Sequence, residues 1–288
     1  MTRPVEIHGH RGARGLFPEN TLQGFARALA IGVDALELDV GMTADGVVVV
    51  THDPRLSPDI TRGPDGRWLA APGKLIQELA VADLAAYDVG RIDPASPYHA
   101  LFPGQAPCDG ARIPTLSEVL HAFPGARISI ELKTFADRPD WTARPEAMAE
   151  AVIGDIERAG AAGRVLIESF DWRGPRYVRA VRPDIRVGWL TSASVTDAEL
   201  WRGIRGGSAG SIPQEVAAEG GPVWGPDHRD LTEALVSKAH RLGLLVAPWT
   251  VNAPADMRRL AGWGVDALVT DRPDLARDVL AGLGPPFR

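Results

Sequence analysis

Short apolar runs recur along the chain, and longer stretches with helical spacing separate them. The runs are "VEIHGH", "ALELDV", "RISIELK", "RVLIESF", "RVGWLT", "PVWGPD", "LLVAPWTV" and "VDALVTD". Between them lie "TLQGFARALAIG", "PEAMAEAVIGDIERAG", "LTEALVSKAHRLG" and "ADMRRLAGWG", several of which close on glycine, a common helix stop. Strands alternating with helices predict an α/β fold with a parallel sheet. The number of runs favours a TIM (β/α)8 barrel, with an open doubly wound sheet as the alternative. The ionisable residues cluster at the C-terminal ends of the runs, where either fold builds its site.

Two segments break the alternation. Only "GMTADG" separates "ALELDV" from "VVVVTHD", too little chain for the crossover that a parallel strand needs. The second run therefore returns antiparallel, as a hairpin turning near Asp45-Gly46. A turn centred between those two residues sets Asp39 opposite His52. Residues 54–114 are rich in Pro, Gly and Asp and hold one candidate helix, "LIQELAVADLAAYD". They read as a small insertion over the C-terminal mouth of a single barrel domain spanning 1–288.

Composition narrows the classes. A length of 288 residues suits one large barrel domain, and 45% hydrophobic with 24% charged residues is ordinary for a globular protein. A net charge of −6 argues against nucleic acid or an anionic membrane as the main partner. One cysteine, Cys108, excludes an intrachain disulfide and a cysteine metal cluster. No apolar stretch suits a bilayer span or a secretion signal, so the expectation is a cytoplasmic protein without stable membrane insertion.

Glu37 and Asp39 lie two apart in "ELDV", so strand parity puts both carboxylates on one face. Paired carboxylates at an interior mouth repel each other and resist desolvation, which makes sense when a cation sits between them. Glu131 and Lys133 in "SIELK" share a face in the same way; Glu131 offers a third carboxylate and Lys133 a cation for an anion, or the two form an internal pair. Oxygen ligands without cysteine suit Mg²⁺ or Ca²⁺ better than Zn²⁺. His10 and His52 fall at run ends on the same side, where two imidazoles flanking a phosphodiester supply a base and an acid. Arg11 has the fork that phosphate oxygens want. Asn20 or Thr21 caps the first helix. Glu19 pairs with Arg11 or with the metal. Trp249 in "PWTVN" is an aromatic platform for substrate or a core plug, and Glu168 in "IESF" is a further strand-end carboxylate of ambiguous register.

These motifs in this order resemble the glycerophosphodiester phosphodiesterase family. "HRGARGLFPENT", "LELDVGMTADGVVVVTHD", "IELK", "PWTVN" and "GVDALVTDRPD" follow its pattern from residue 7 to about residue 274. The resemblance implies a TIM barrel with a small insertion above its mouth. It implies one divalent cation at Glu37, Asp39 and Glu131, an acid–base pair at His10 and His52, and phosphate binding at Arg11 and Lys133. The expected activity is hydrolysis of a small-molecule glycerophosphodiester to an alcohol and glycerol 3-phosphate. A lysophospholipase D or sphingomyelinase D-like activity is the second reading. It ranks lower because its apolar surface would have to come from the insertion or loops, and the insertion's apolar residues are few and scattered. A non-catalytic phosphate-binding barrel is the third, and the retained histidines and carboxylates argue against it. The oligomeric state stays open.

Overall fold

The computed structural model describes residues 4–195, 197–203 and 211–283. Eight parallel strands form the barrel: β1 Glu6–Gly9, β2 Ala35–Met42, β4 Ile128–Leu132, β5 Val165–Ser169, β6 Arg186–Thr191, β7 Val223–Pro226, β8 Leu245–Val246 and β9 Ala267–Thr270. Each of the eight apolar runs supplies one of them. The order β8-β7-β6-β5-β4-β2-β1-β9 closes across a seam between β8 and β9. There Asp266 N donates to Val246 O at 2.9 Å and Val269 N to Pro248 O at 3.0 Å. Pro248 has no N–H to give, which cuts the ladder of β8 short.

The outer faces of the strands pack on helices. In α1 (Leu22–Ile31), Thr21 is the N-cap, accepting from Gly24 N, and Gly32 ends the helix in the left-handed region at φ 94°. Phe25 and Ala28 turn inward from it onto Leu36 and Leu38, all fully buried. The same pattern holds in α4 (Pro145–Arg158), where Met148, Ala149, Val152 and Ile156 face the barrel. This ring of apolar contacts is rigid, so the strand ends it carries are fixed in space.

The short run after β2 is β3 (Val48–Val50), antiparallel to β2 as the linker length demands. Its register corrects the sequence reading. Val40 faces Val50 and Gly41 faces Val49, and Thr51 N donates to Asp39 O at 2.9 Å, so Thr51 rather than His52 lies opposite Asp39. The loop has three residues, not two. Thr43 N bonds Val47 O at 3.0 Å, and Gly46 at φ 78° supplies the extra left-handed residue. One residue more in the turn slides every pair by one.

Residues 54–114 lie between β3 and α3 (Leu116–Ala122). The expected helix "LIQELAVADLAAYD" is broken into a 3₁₀ turn at Ile76–Glu78 and α2 (Val81–Leu84), because Leu79 and Ala80 take extended backbone. Leu56, Ile76, Leu79 and Leu84 form a small apolar cluster anchored on Val49 of the hairpin. A second tie runs to the barrel mouth: Tyr98 donates to Glu19, and Ala106 N bonds Leu16 O at 2.8 Å. Among the described residues no helix is long and apolar enough to cross a membrane.

Candidate active site

Strand parity puts Glu37 and Asp39 of β2 and Glu131 of β4 on the interior of the barrel, and the ladder sets Asp39 beside Glu131. Carboxylate oxygens of the three lie within 4.8 Å of one another, and all three residues are buried. Their environment is unbalanced. Burial, together with Asp39 and Glu131, pushes the Glu37 carboxyl well above the usual carboxylate range. Burial also raises Glu131, against the pull of Lys133. Asp39 is held far below its ordinary value, since Arg11, His52 and Lys133 outweigh its burial. Its Oδ1 is buried without a hydrogen-bond partner. Three buried hard oxygen donors, two of them pushed toward their neutral forms and the third with an unsatisfied lone pair, fit a divalent cation.

Cationic side chains surround the cluster. Arg11 follows β1 with φ 50°, a strained left-handed position for a bulky residue. That turn aims its backbone N–H at Glu37 Oε2, 2.7 Å away. Its guanidinium donates to Glu19 Oε1 at 2.7 Å and lies 3.1 Å from Asp39 Oδ2. Glu19 pairs with Arg11 and is not one of the three grouped carboxylates. Lys133 Nζ bonds Glu131 Oε1 at 2.8 Å and lies 3.7 Å from Asp39 Oδ1. Burial opposes the Lys133 charge, yet Glu131 and Asp39 raise its pKa above the ordinary value. Arg11 and Lys133 thus both lie against the three-carboxylate group.

The two histidines sit differently. His10 is buried at the end of β1, its Nδ1 bonded to Asp271 Oδ1 at 2.6 Å and its Nε2 3.9 Å from Glu37 Oε2. Burial lowers its pKa although Asp271 works the other way. His52 follows the hairpin where the chain bends, its side chain one-third exposed, with Nδ1 2.7 Å from Asp53 Oδ1. Its desolvated setting, with Arg11 and Lys133 nearby, holds it down to about 4. Both imidazoles help to lower the Asp39 pKa electrostatically.

Of the two other sequence candidates, Glu168 lies beside Glu131 on the next strand and Trp249 follows β8. Glu168 of β5 points into the barrel and accepts from Ser129 Oγ at 2.7 Å; burial pushes it up to about 7. Trp249 donates through its indole to Gly225 O at 2.9 Å and meets Phe170 edge-on at 5.3 Å. His8 lies at the lower end of the barrel, 3.1 Å from Glu6, which also pairs with Arg127.

Sequence reasoning missed several participants. Asp271, just past β9, binds His10, Arg14 (3.0 Å) and Asn252 (2.7 Å) at once. Asn20 is no helix cap: at φ 55° its amide reaches Asp39 Oδ2 at 3.0 Å, and Thr21 does the capping. Asn20 in "PENT" reads locally as a cap, and Asp271 in "TDRPD" carries no local signal of a partner at the other end of the chain.

A barrel that gathers carboxylates, two imidazoles and two cations at its C-terminal mouth has the equipment of a hydrolase acting on an anionic ester. The profile of the glycerophosphoryl diester phosphodiesterase family matches residues 10–275. The chain belongs to that family and is an enzyme of the phosphodiesterase class. A glycerophosphodiester phosphodiesterase of Bacillus subtilis (strain 168) is 32% identical over 286 residues, covering 95% of this chain and 85% of the relative. A crystal structure from Silicibacter pomeroyi DSS-3 that bears the family's name superposes with a TM-score of 0.90 at 40% identity, covering 98% of this chain and 94% of the other. An Oleispira antarctica phosphodiesterase solved with its product sn-glycerol-3-phosphate shares the fold, with a TM-score of 0.73 at 23% identity over 96% of this chain and 97% of the other.

Proposed function

We propose that this chain, acting as a single barrel domain covered by its 54–114 insertion, hydrolyses glycerophosphodiesters to an alcohol and glycerol 3-phosphate. The observation that carries the reading is the buried Glu37–Asp39–Glu131 group ringed by His10, His52, Arg11 and Lys133. Glu37, Asp39 and Glu131 would hold one divalent cation, Mg²⁺ or Ca²⁺. When bound, it supplies a fixed positive charge that offsets charge building on phosphoryl oxygens.

The chain's own groups do the rest. Arg11 and Lys133 neutralise the diester's anionic oxygens and hold phosphorus at the mouth. One of the two histidines takes the proton from the attacking hydroxyl, and the other gives a proton to the departing alcohol oxygen as the P–O bond breaks. Their lowered pKa values leave both neutral at pH 7 in the free protein, which readies the base. The anionic diester stabilises the protonated form of the acid. The attacking oxygen belongs to water, or to the glycerol 2-hydroxyl. In the second case a cyclic phosphate forms first and water then opens it. Asp271 fixes the His10 ring through Nδ1 and leaves Nε2 for the transfer.

The test is turnover of glycerophosphocholine, a lysolipid and an aryl phosphodiester, with and without Mg²⁺ or Ca²⁺. Cation-dependent release of glycerol 3-phosphate from glycerophosphocholine is the expected result. Tight binding of glycerol 3-phosphate with no turnover of any diester would instead mark a phosphate-binding barrel.

A further inference from the structure

The 54–114 insertion meets the barrel mouth at a 3₁₀ turn, Pro97–Leu101. Tyr98 of this turn sets its hydroxyl between two groups of the mouth. It donates to Glu19 Oε2, and it accepts from Arg14 Nη1 at 3.1 Å. Burial and the Glu19 charge push the phenol well above its ordinary pKa, so it keeps its proton and the direction of both bonds is fixed. Each partner leads on into the site. The other Glu19 oxygen, Oε1, takes the Arg11 guanidinium at 2.7 Å, and that guanidinium lies 3.1 Å from Asp39 Oδ2. Arg14 gives its Nε and Nη2 to Asp271, at 3.0 and 3.2 Å, and Asp271 holds His10 Nδ1 at 2.6 Å. One phenol of the insertion thus joins a phosphate-binding arm, Glu19–Arg11, to a proton-transfer arm, Arg14–Asp271–His10.

The same hydroxyl keeps the two arms apart. Glu19 is ionised, because Arg11 and Arg14 lower its pKa against burial. Without the hydroxyl, Glu19 Oε2 and Arg14 Nη1 lose their shared partner and face each other across the space it leaves. Opposite charges away from bulk water attract strongly, so a direct Glu19–Arg14 pair would draw Glu19 from Arg11 and Arg14 from Asp271. The tyrosine itself is well held. Its ring meets Phe102 edge-on at 5.1 Å, the Arg14 guanidinium lies over the same Phe102 at 4.9 Å, and Tyr98 N donates to Ser96 Oγ at 3.0 Å.

We propose that Tyr98 is a positioning residue of the catalytic site: it keeps Glu19 on Arg11 and Arg14 on Asp271, so that the insertion takes part in catalysis. The inference rests on the phosphodiesterase reading above and adds a residue to it.

Tyr98→Phe removes one oxygen and leaves the ring on Phe102. With glycerophosphocholine and saturating Mg²⁺ or Ca²⁺ it should lower kcat/KM by about 10- to 10²-fold, the scale of a hydrogen bond to a charged group, and raise both KM and the Kd for glycerol 3-phosphate. Gln105→Ala cuts another tie of the same segment, a bond from Gln105 Nε2 to the Arg14 carbonyl at 2.7 Å, and leaves both arms intact. It should stay within about threefold of the parent. In a Glu19→Gln background no charge remains to draw Arg14 away, so adding Tyr98→Phe should cost less than about threefold more. Tyr98→Met takes the place of the phenylalanine variant if that does not fold. A folded variant with kcat/KM and Kd within about threefold of the parent, an equal loss in Gln105→Ala, or losses that multiply in the double variant overturns the proposal. If the parent turns over no diester with either cation, the phosphodiesterase reading fails instead. The bridge is then judged by the Nε–Hε NMR signal of Arg11, assigned by its loss in Arg11→Lys. That signal should shift in Tyr98→Phe and stay in place in Gln105→Ala; a signal unmoved by Tyr98→Phe overturns the proposal.

Discussion

Asp271→Asn removes one charge and keeps the side chain's outline, which makes it the sharpest probe of the His10 assignment. The carboxylate lies 2.6 Å from His10 Nδ1, and it also accepts from Arg14 Nε at 3.0 Å and Asn252 Nδ2 at 2.7 Å. His10 and Arg14 hold its pKa far below the ordinary value although burial opposes them, so at neutral pH it can only accept. His10 must therefore carry its hydrogen on Nδ1 and leave Nε2 as the reactive nitrogen. An asparagine can turn its NH₂ toward Nδ1, reversing the tautomer and removing the Nε2 lone pair. The expected loss in kcat is about 10²- to 10⁴-fold, the scale of a disabled acid–base group. Arg14 also loses an ionic partner, which costs about 1–3 kcal/mol of stability and lowers Tm by several degrees. Activity is therefore measured well below the variant's own Tm, with circular dichroism confirming the fold. The pH profile supplies an independent readout. Asp271 raises the His10 pKa against burial, so its removal should shift the limb belonging to His10 to lower pH. A folded variant with kcat within threefold of the parent and an unmoved profile would refute the dyad.

Exhaustive chelation should abolish turnover and Mg²⁺ or Ca²⁺ should restore it, while Glu37→Gln and Asp39→Asn lose the rise in Tm that added cation gives; full activity after demetallation sinks the metal assignment. His10→Ala should lower kcat by about 10²-fold or more, whereas His8→Asn should act mainly on Tm, because His8 lies by Glu6 at the barrel's lower end; a dead His8→Asn beside a near-normal His10→Ala reverses the roles. Burial raises Glu168 from 4.5 to about 7, so its neutral form is favoured in the folded state. That stability is fully present below about pH 4.5 and lost as pH rises through 7, a change on the order of 3 kcal/mol. In chelated protein Glu168→Gln should therefore gain Tm over the parent between pH 5 and pH 8, and a constant difference across that range contradicts the burial argument.

The chain's local pattern carried the barrel. Apolar runs named the strands, and period-two parity let Glu37 with Asp39, and Glu131 with Lys133, be assigned to shared faces before any contact was known, while the register of Glu168 in "IESF" stayed ambiguous. The short linker after β2 likewise required β3 to turn back, since chain length limits topology. Tertiary structure decided matters that depend on a single backbone angle or on distant segments meeting. Gly46 in the left-handed region moved the hairpin register by one, and nothing in "TADG" separates a two-residue loop from a three-residue one. Glu19 pairs with Arg11 because the strained turn at Arg11 brings its guanidinium between Glu19 and Asp39. Asp271 meets His10 from 261 residues away only because β9 closes the barrel against β1. Periodicity is a property of neighbours in the chain, whereas a site belongs to neighbours in space, and barrel closure makes one into the other.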